Sequence, residues 1–229
     1  MNLARRAAGD GVAQRVWDLP TRLLHVALIA LFAFSWWSAE NGVLRWHRVS
    51  GYAVLTLLLF RIYWGFAGST TARFASFVRG PRAFFAYARR LFERSGERSV
   101  GHNPMGGWSV LAMLALLLLQ TTTGLFAVDT DGIESGPLSH LVGFSTGRRF
   151  ATVHAFSFDL LLVLIGLHIA VVLFYLVYKR DPLVVAMIGG RKPLPDGATA
   201  HLRFGSFARA LAGLVVAALL VAALVFGLG

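Results

Sequence analysis

The chain has 229 residues, of which 56% are hydrophobic and only 14% charged, with a mean hydropathy of +0.64. Soluble domains carry about 25% charged residues, so the composition excludes a water-soluble globule and points to one compact bundle in lipid. The net charge of +11 raises either nucleic acid or a membrane surface as partner. Cysteine is absent, which excludes disulfides, iron–sulfur ligation, thiolate zinc sites and covalent c-type haem.

In chain order, residues 1–11 are expected to form a disordered tail. A first apolar span covers about Thr21–Ala39. It lacks a small-residue cleavage site and runs into Trp36 and Trp37, an interfacial aromatic belt, so it reads as a retained span rather than a signal peptide. Four more segments reach the roughly 20 residues that cross a bilayer: about His47–Phe66, Trp108–Val128, Phe150–Tyr178 and Ser206–Leu228. Between the second and third, Pro81 opens a helix with Phe84, Phe85, Ala88, Leu91 and Phe92 on one face. Arg82, Arg89, Arg90 and Arg94 back that face, a pattern for a helix lying in the interface. The stretch from Asp129 to Gly147 is polar and Gly-rich, with no clear element. No run of short alternating strands appears, so the expected class is an all-α integral membrane protein.

Charge sets the topology. The segment up to Arg22, the loop Ala67–Gly107 and the stretch Lys179–Arg209 carry +2, +5 and +4, whereas Glu40–Arg48 and Asp129–Arg149 carry +1 and −1. Basic regions thus alternate with neutral ones, as five consecutive spans require, which predicts a cytoplasmic N-terminus and a periplasmic C-terminus. The positive charge is topology, and no nucleic-acid partner is expected.

Four of the seven histidines lie in or at the edge of apolar spans. Ionisable residues there are costly and face the bundle interior with a partner. His154 and His168 are 14 residues apart, which puts them on one helix face about 21 Å apart along the axis. His47 opens the second span on the periplasmic side, level with His154. His25 lies one turn into the first span from the cytoplasmic side, level with His168. Depth alone therefore gives two bis-histidine sites stacked across the membrane, metal sites in which His25, His47, His154 and His168 ligate haem iron. Zinc prefers three or four protein ligands, and two imidazoles in an apolar bundle suit axial ligation of a non-covalent haem b at each site.

Arg61 follows His47 by 14 residues and shares its face. It either meets a propionate of the cytoplasmic-side haem or snorkels to the headgroups. Arg22 is a second candidate for that propionate, and Arg45, Arg48, Arg148 and Arg149 are candidates for the other haem. Gly51, Gly65, Gly124 and Gly166 are placed to leave room for flat macrocycles. Asp159 lies about 140° off the ligand face, where it either carries protons or bonds Gln120 or the Thr121–Thr123 cluster. His102 and Asn103, at the mouth of the third span, either hydrogen-bond a quinone headgroup or sit in solvated loop.

The stretches VWDLPTRLLH at 16–25, WHRVSGYAVLTLLLFRIYWGFAG at 46–68 and GHNPMGGWSVLAMLALL at 101–117, with the His154/His168 pair, resemble the bacterial cytochrome b561 family. That family includes the cytochrome b subunits of nickel–iron hydrogenases and formate dehydrogenases. The resemblance covers about residues 12–190. It implies a four-helix core with two haem b groups, the first and fourth helices sharing one and the second and fourth the other. It also implies chemistry with ubiquinone or menaquinone. Residues 191–229 would then be a linker and a fifth transmembrane helix. The expected function is electron transfer in the bacterial inner membrane, between a periplasmic c-type cytochrome or dehydrogenase subunit and the quinone pool. The alternative is a free-standing superoxide:quinone oxidoreductase, which needs a positive periplasmic funnel to steer the anion.

Overall fold

The computed structural model describes residues 12–93, 99–130, 134–195, 197–199 and 201–227. The expected disordered tail lies outside these residues. Five helices are long and apolar enough to cross a membrane: α1 (Leu19–Glu40), α2 (Leu44–Ala67), α5 (Pro104–Phe126), α6 (Phe144–Val177) and α8 (Phe207–Gly227). Short elements connect them: β1 (Val12–Arg15), α3 (Phe74–Phe77), α4 (Pro81–Arg89), α7 (Leu183–Gly189) and β2 (Arg191–Leu194).

Local chemistry sets the helix starts. Asp18 caps α1 by accepting from the Thr21 amide at 2.7 Å, with Pro20 in the first turn where its missing N–H costs nothing. The other carboxylate oxygen of Asp18 accepts from the Trp64 indole at 3.0 Å, and both residues are buried. One aspartate thus starts α1 and ties it to the far end of α2. Asn103 does the same for α5, accepting from the Gly106 amide at 2.8 Å ahead of Pro104.

Helix α2 is the hub, packing against α1, α5 and α8, while α6 packs chiefly against α5. Small residues of α8 make the approach to α2 close. A Cβ at Gly213 would run into the Tyr63 ring, and Ala210 and Ala217 share a buried cluster with Phe60 and Trp64. Much apolar surface faces outward, including Ile29, Phe66, Phe156, Val163, Leu219 and Phe226. Lipid is the solvent that accepts such a surface.

Two expectations need correction. The fold is mostly rather than wholly helical, because β1 and β2 pair antiparallel from Val12 against Leu194 to Arg15 against Arg191. Each strand is only four residues and neither alternates visibly in the sequence. The fourth span also starts at Phe144, within the stretch read as loop. Its first turns are polar because α6, at 34 residues and about 51 Å, outreaches the apolar slab. Gly147, which reads as a loop residue, lets the helix touch Val128, whose Cγ2 would collide with a Cβ there.

The hairpin, α7 and the segments after α2 and before α5 gather at one end of the helices. Thr71 donates to the Val16 carbonyl at 2.7 Å, and the Thr70 amide donates to the Arg203 carbonyl at 2.9 Å. A buried ion pair, Lys192 to Asp181 at 2.7 Å, adds a bond from Lys192 to the Ser99 carbonyl at 3.0 Å. The described parts of the three strongly basic regions therefore share one end, the basic end.

Candidate functional site

The end of the molecule opposite the basic end brings two histidines together. His47 is in the first turn of α2 and His154 is eleven residues into α6. Their ring centroids are 5.9 Å apart and their planes are at 88°. Nδ1 of His47 bonds the Ser35 carbonyl at 2.9 Å, and Nδ1 of His154 bonds the Gln120 carbonyl at 2.8 Å. A carbonyl only accepts, so in both rings the proton is on Nδ1 and the lone pair is on Nε2. This is the second-sphere arrangement that prepares a metal-ligating imidazole.

The supporting residues come from α5. Gln120 offers its side-chain amide to Nε2 of His154 at 3.1 Å and takes a hydrogen bond from Ser157 on its oxygen. Gly124 lies against the His154 ring, where a Cβ would sit 2.9 Å from Cε1. The sequence signal for this support was the polar stretch Gln120–Gly124 inside an apolar helix.

At the basic end, His25 in α1 and His168 in α6 lie within electrostatic reach of each other, and His102 senses both of them together with Arg61. His102 is wedged between Trp17, at 4.8 Å between ring centroids, and Phe77, at 4.6 Å. Burial pushes its pKa down to about 3, with the charges of Arg61, His168 and His25 acting in the same direction. Its Nδ1 and the Nη1 of Arg61 are both buried without a hydrogen-bond partner among the described residues. Arg61 is 5% exposed, which removes the snorkelling alternative for this side chain, and its guanidinium stands 5.1 Å from the Phe74 ring centroid. A buried cation with an orphaned N–H is prepared for an anion.

Other candidates are engaged elsewhere. Arg22 donates to the carbonyls of Met187 and Ile188, where it completes the C-terminal turn of α7. Asn103, besides capping α5, donates to Tyr175 Oη at 2.9 Å, and Tyr175 in turn bonds Tyr87 at 2.7 Å. Arg48 pairs with Glu134, and Arg148 donates to the Val128 carbonyl at 3.0 Å. Among the glycines, Gly51 and Gly166 border open space, whereas Gly65 packs on the Phe74 ring. Asp159 is exposed on α6, about 160° around the helix from Ser157, which bonds α5. No hydrogen bond or ion pair reaches it among the described residues, so Gln120 and the threonine cluster are not its partners. No cluster of three or more potential metal ligands occurs among the described residues, as a zinc site would require.

A membrane protein of five apolar helices with half-buried histidines in its spans, two of them facing each other, defines a class, that of membrane electron-transport proteins of cytochrome b type. Residues 16–190 match the family described as prokaryotic cytochrome b561, and the chain belongs to that family. A b-type cytochrome carries haem without a covalent bond, in keeping with a chain that has no cysteine. The chain is 26% identical over 165 residues to a probable Ni/Fe-hydrogenase B-type cytochrome subunit of Rhizobium leguminosarum bv. viciae, covering 66% of this chain and 68% of that one. A protein of the same description from Azotobacter chroococcum mcd 1 is 25% identical over 166 residues, with the same coverage. No solved structure gives a significant match.

Proposed function

We propose that this chain is a di-haem cytochrome that passes electrons across the bacterial inner membrane between a periplasmic redox partner and the quinone pool. In this reading α1, α2, α5 and α6 form a four-helix core, and α8 is a fifth helix added on the outside of α2. His47 and His154 hold one haem b, and His25 and His168 hold the other at the basic end. The observation that carries the reading is the facing pair His47 and His154, each with Nδ1 committed to a carbonyl.

Each haem supplies reversible one-electron chemistry when bound. The chain does the rest. Ser35 and the Gln120 backbone fix the tautomer and angle of their imidazoles. The Gln120 side chain holds the lone pair of His154 Nε2, the atom that would ligate a haem at this site. Arg61 neutralises a propionate, supported by its orphaned Nη1. Arg22 is not retained for that role, since two of its donors, on Nε and Nη2, hold the end of α7. The apolar helices around both sites would lower the local dielectric, which favours the less charged, reduced state.

Positive charge at one end supports a cytoplasmic N-terminus and a periplasmic C-terminus. The periplasmic partner proposed is a hydrogenase-type dehydrogenase subunit, in line with the names of the relatives. Ubiquinone or menaquinone is the mobile carrier, approached near His102 at the basic end. The superoxide-oxidising alternative draws no support from Arg48 and Arg148, which are occupied by Glu134 and Val128.

The test is a reduced-minus-oxidised spectrum with haem quantification on the purified chain. Two haems per chain are expected, and one haem in the wild type overturns the assignment.

A further inference from the structure

Where α2 ends and α8 begins, at the basic end, a pocket of about 300 Å³ is lined by Arg73, Arg203 and Arg209 with Phe66 and Phe204. Two of the three arginines lie beyond residue 190, outside the family-matched segment. Nothing derived for electron transfer uses them.

The pocket is held by backbone. Thr70 and Arg203 exchange bonds, amide to carbonyl at 2.9 Å and amide to hydroxyl at 2.9 Å. The Gly205 amide donates to Ser69 Oγ at 2.9 Å. Gly205 approaches α2 so closely that a Cβ would stand 2.7 Å from the Trp64 ring. The guanidinium groups are only weakly engaged: Arg73 reaches Thr70 Oγ1 at 3.3 Å and Arg209 reaches the Ala67 carbonyl at 3.5 Å. No carboxylate pairs with any of the three among the described residues.

Arg209 is also in the wrong place for helix stability. It sits in the first turn of α8, where the helix dipole disfavours a cation and where no acidic residue is present. Three cations and a helix N-terminus facing one space repel each other unless an anion joins them. Phe66, 71% exposed, and Phe204 give the same space an apolar wall that adjoins the outer surfaces of two membrane helices.

We propose that Arg73, Arg203 and Arg209 form a binding site for the phosphate of an anionic phospholipid, with the acyl region against Phe66. The site gives the fifth helix a role: α8 and the segment before it complete a headgroup seat on α2. Basic pockets between membrane helices on the cytoplasmic side recognise anionic headgroups by this chemistry.

The experiment follows the thermal stability of the purified full chain in neutral detergent during titration with phosphatidylglycerol, phosphatidylcholine or inorganic phosphate. Phosphatidylglycerol is expected to stabilise saturably and phosphatidylcholine is not. In R203Q/R209Q the apparent affinity for phosphatidylglycerol should fall roughly thirtyfold. The single variant R209Q should fall about fivefold, and it carries the test if the double variant does not fold. R82Q/R89Q, which removes two arginines of α4, should leave the titration unchanged. Equal stabilisation by phosphatidylcholine, or an unchanged titration in R203Q/R209Q and R209Q, overturns the proposal. So does an equal effect of inorganic phosphate at the same concentration, which would assign the pocket to free phosphate.

Discussion

His47 and His154 stand face to edge across the gap between α2 and α6, 5.9 Å apart, and each gives its Nδ1 proton to a backbone carbonyl on a third element. Ser35 of α1 and Gln120 of α5 supply those carbonyls, so four helices meet at one pair of rings. This arrangement makes the site sensitive to substitutions that leave both imidazoles in place.

Replacing His154 with Ala should remove one haem, halving the α-band absorbance per chain. His25→Ala should remove the other haem and leave the first. Haem quantification on the two variants checks the pairing. If either substitution removed both haems from a folded chain, the sites would not be independent.

Gly124→Ala should act through the ring of His154. The new methyl would lie 2.9 Å from Cε1, too close without a shift of the imidazole. Loss or weakened occupancy of the haem at the His47 end is expected, with the spectrum of the other haem unchanged. Gly80→Ala, at the start of α4 and away from both histidine pairs, is the control, because a Cβ there meets nothing within 4 Å.

Arg61→Gln removes a buried cation beside the haem proposed at the basic end. Without it the ferric, more positive state is favoured, so the midpoint potential of that haem should fall by on the order of tens of millivolts. Potentiometric titration should leave the second haem in place.

His102 gives the apoprotein a pH dependence. Its pKa is pushed down from 6.5 to about 3, chiefly by burial. The unfolded chain takes up this proton as the pH falls through about 6.5, and the folded chain does not until about 3. The residue therefore costs nothing above that range, and stability is lost progressively as pH falls from 6.5 toward 3. His102→Phe should flatten that slope, seen as thermal unfolding curves that separate from wild type only below about pH 6.

Asp159 is an exposed carboxylate between the two histidine levels of α6, with no partner among the described residues. Its side chain is too short to reach the headgroups, as a lysine would. Asp159→Leu is expected to raise the melting temperature of the isolated chain in detergent by about 2–4 °C. A lower melting temperature would show that the carboxylate is satisfied within the chain.

The five spans and the shared end of the three basic regions were legible in the sequence, because lipid imposes length, hydropathy and charge rules on each segment by itself. The spacing of His154 and His168 was legible for the same reason, since one helix fixes it. Tertiary structure alone decided which polar groups meet. Gln120 went to His154 and not to Asp159, Arg22 went to α7, and the strand at 191–194 paired with residues 12–15. Such choices depend on helix rotation and on contacts between segments up to about 180 residues apart. Periodicity within one segment carries no record of its neighbours.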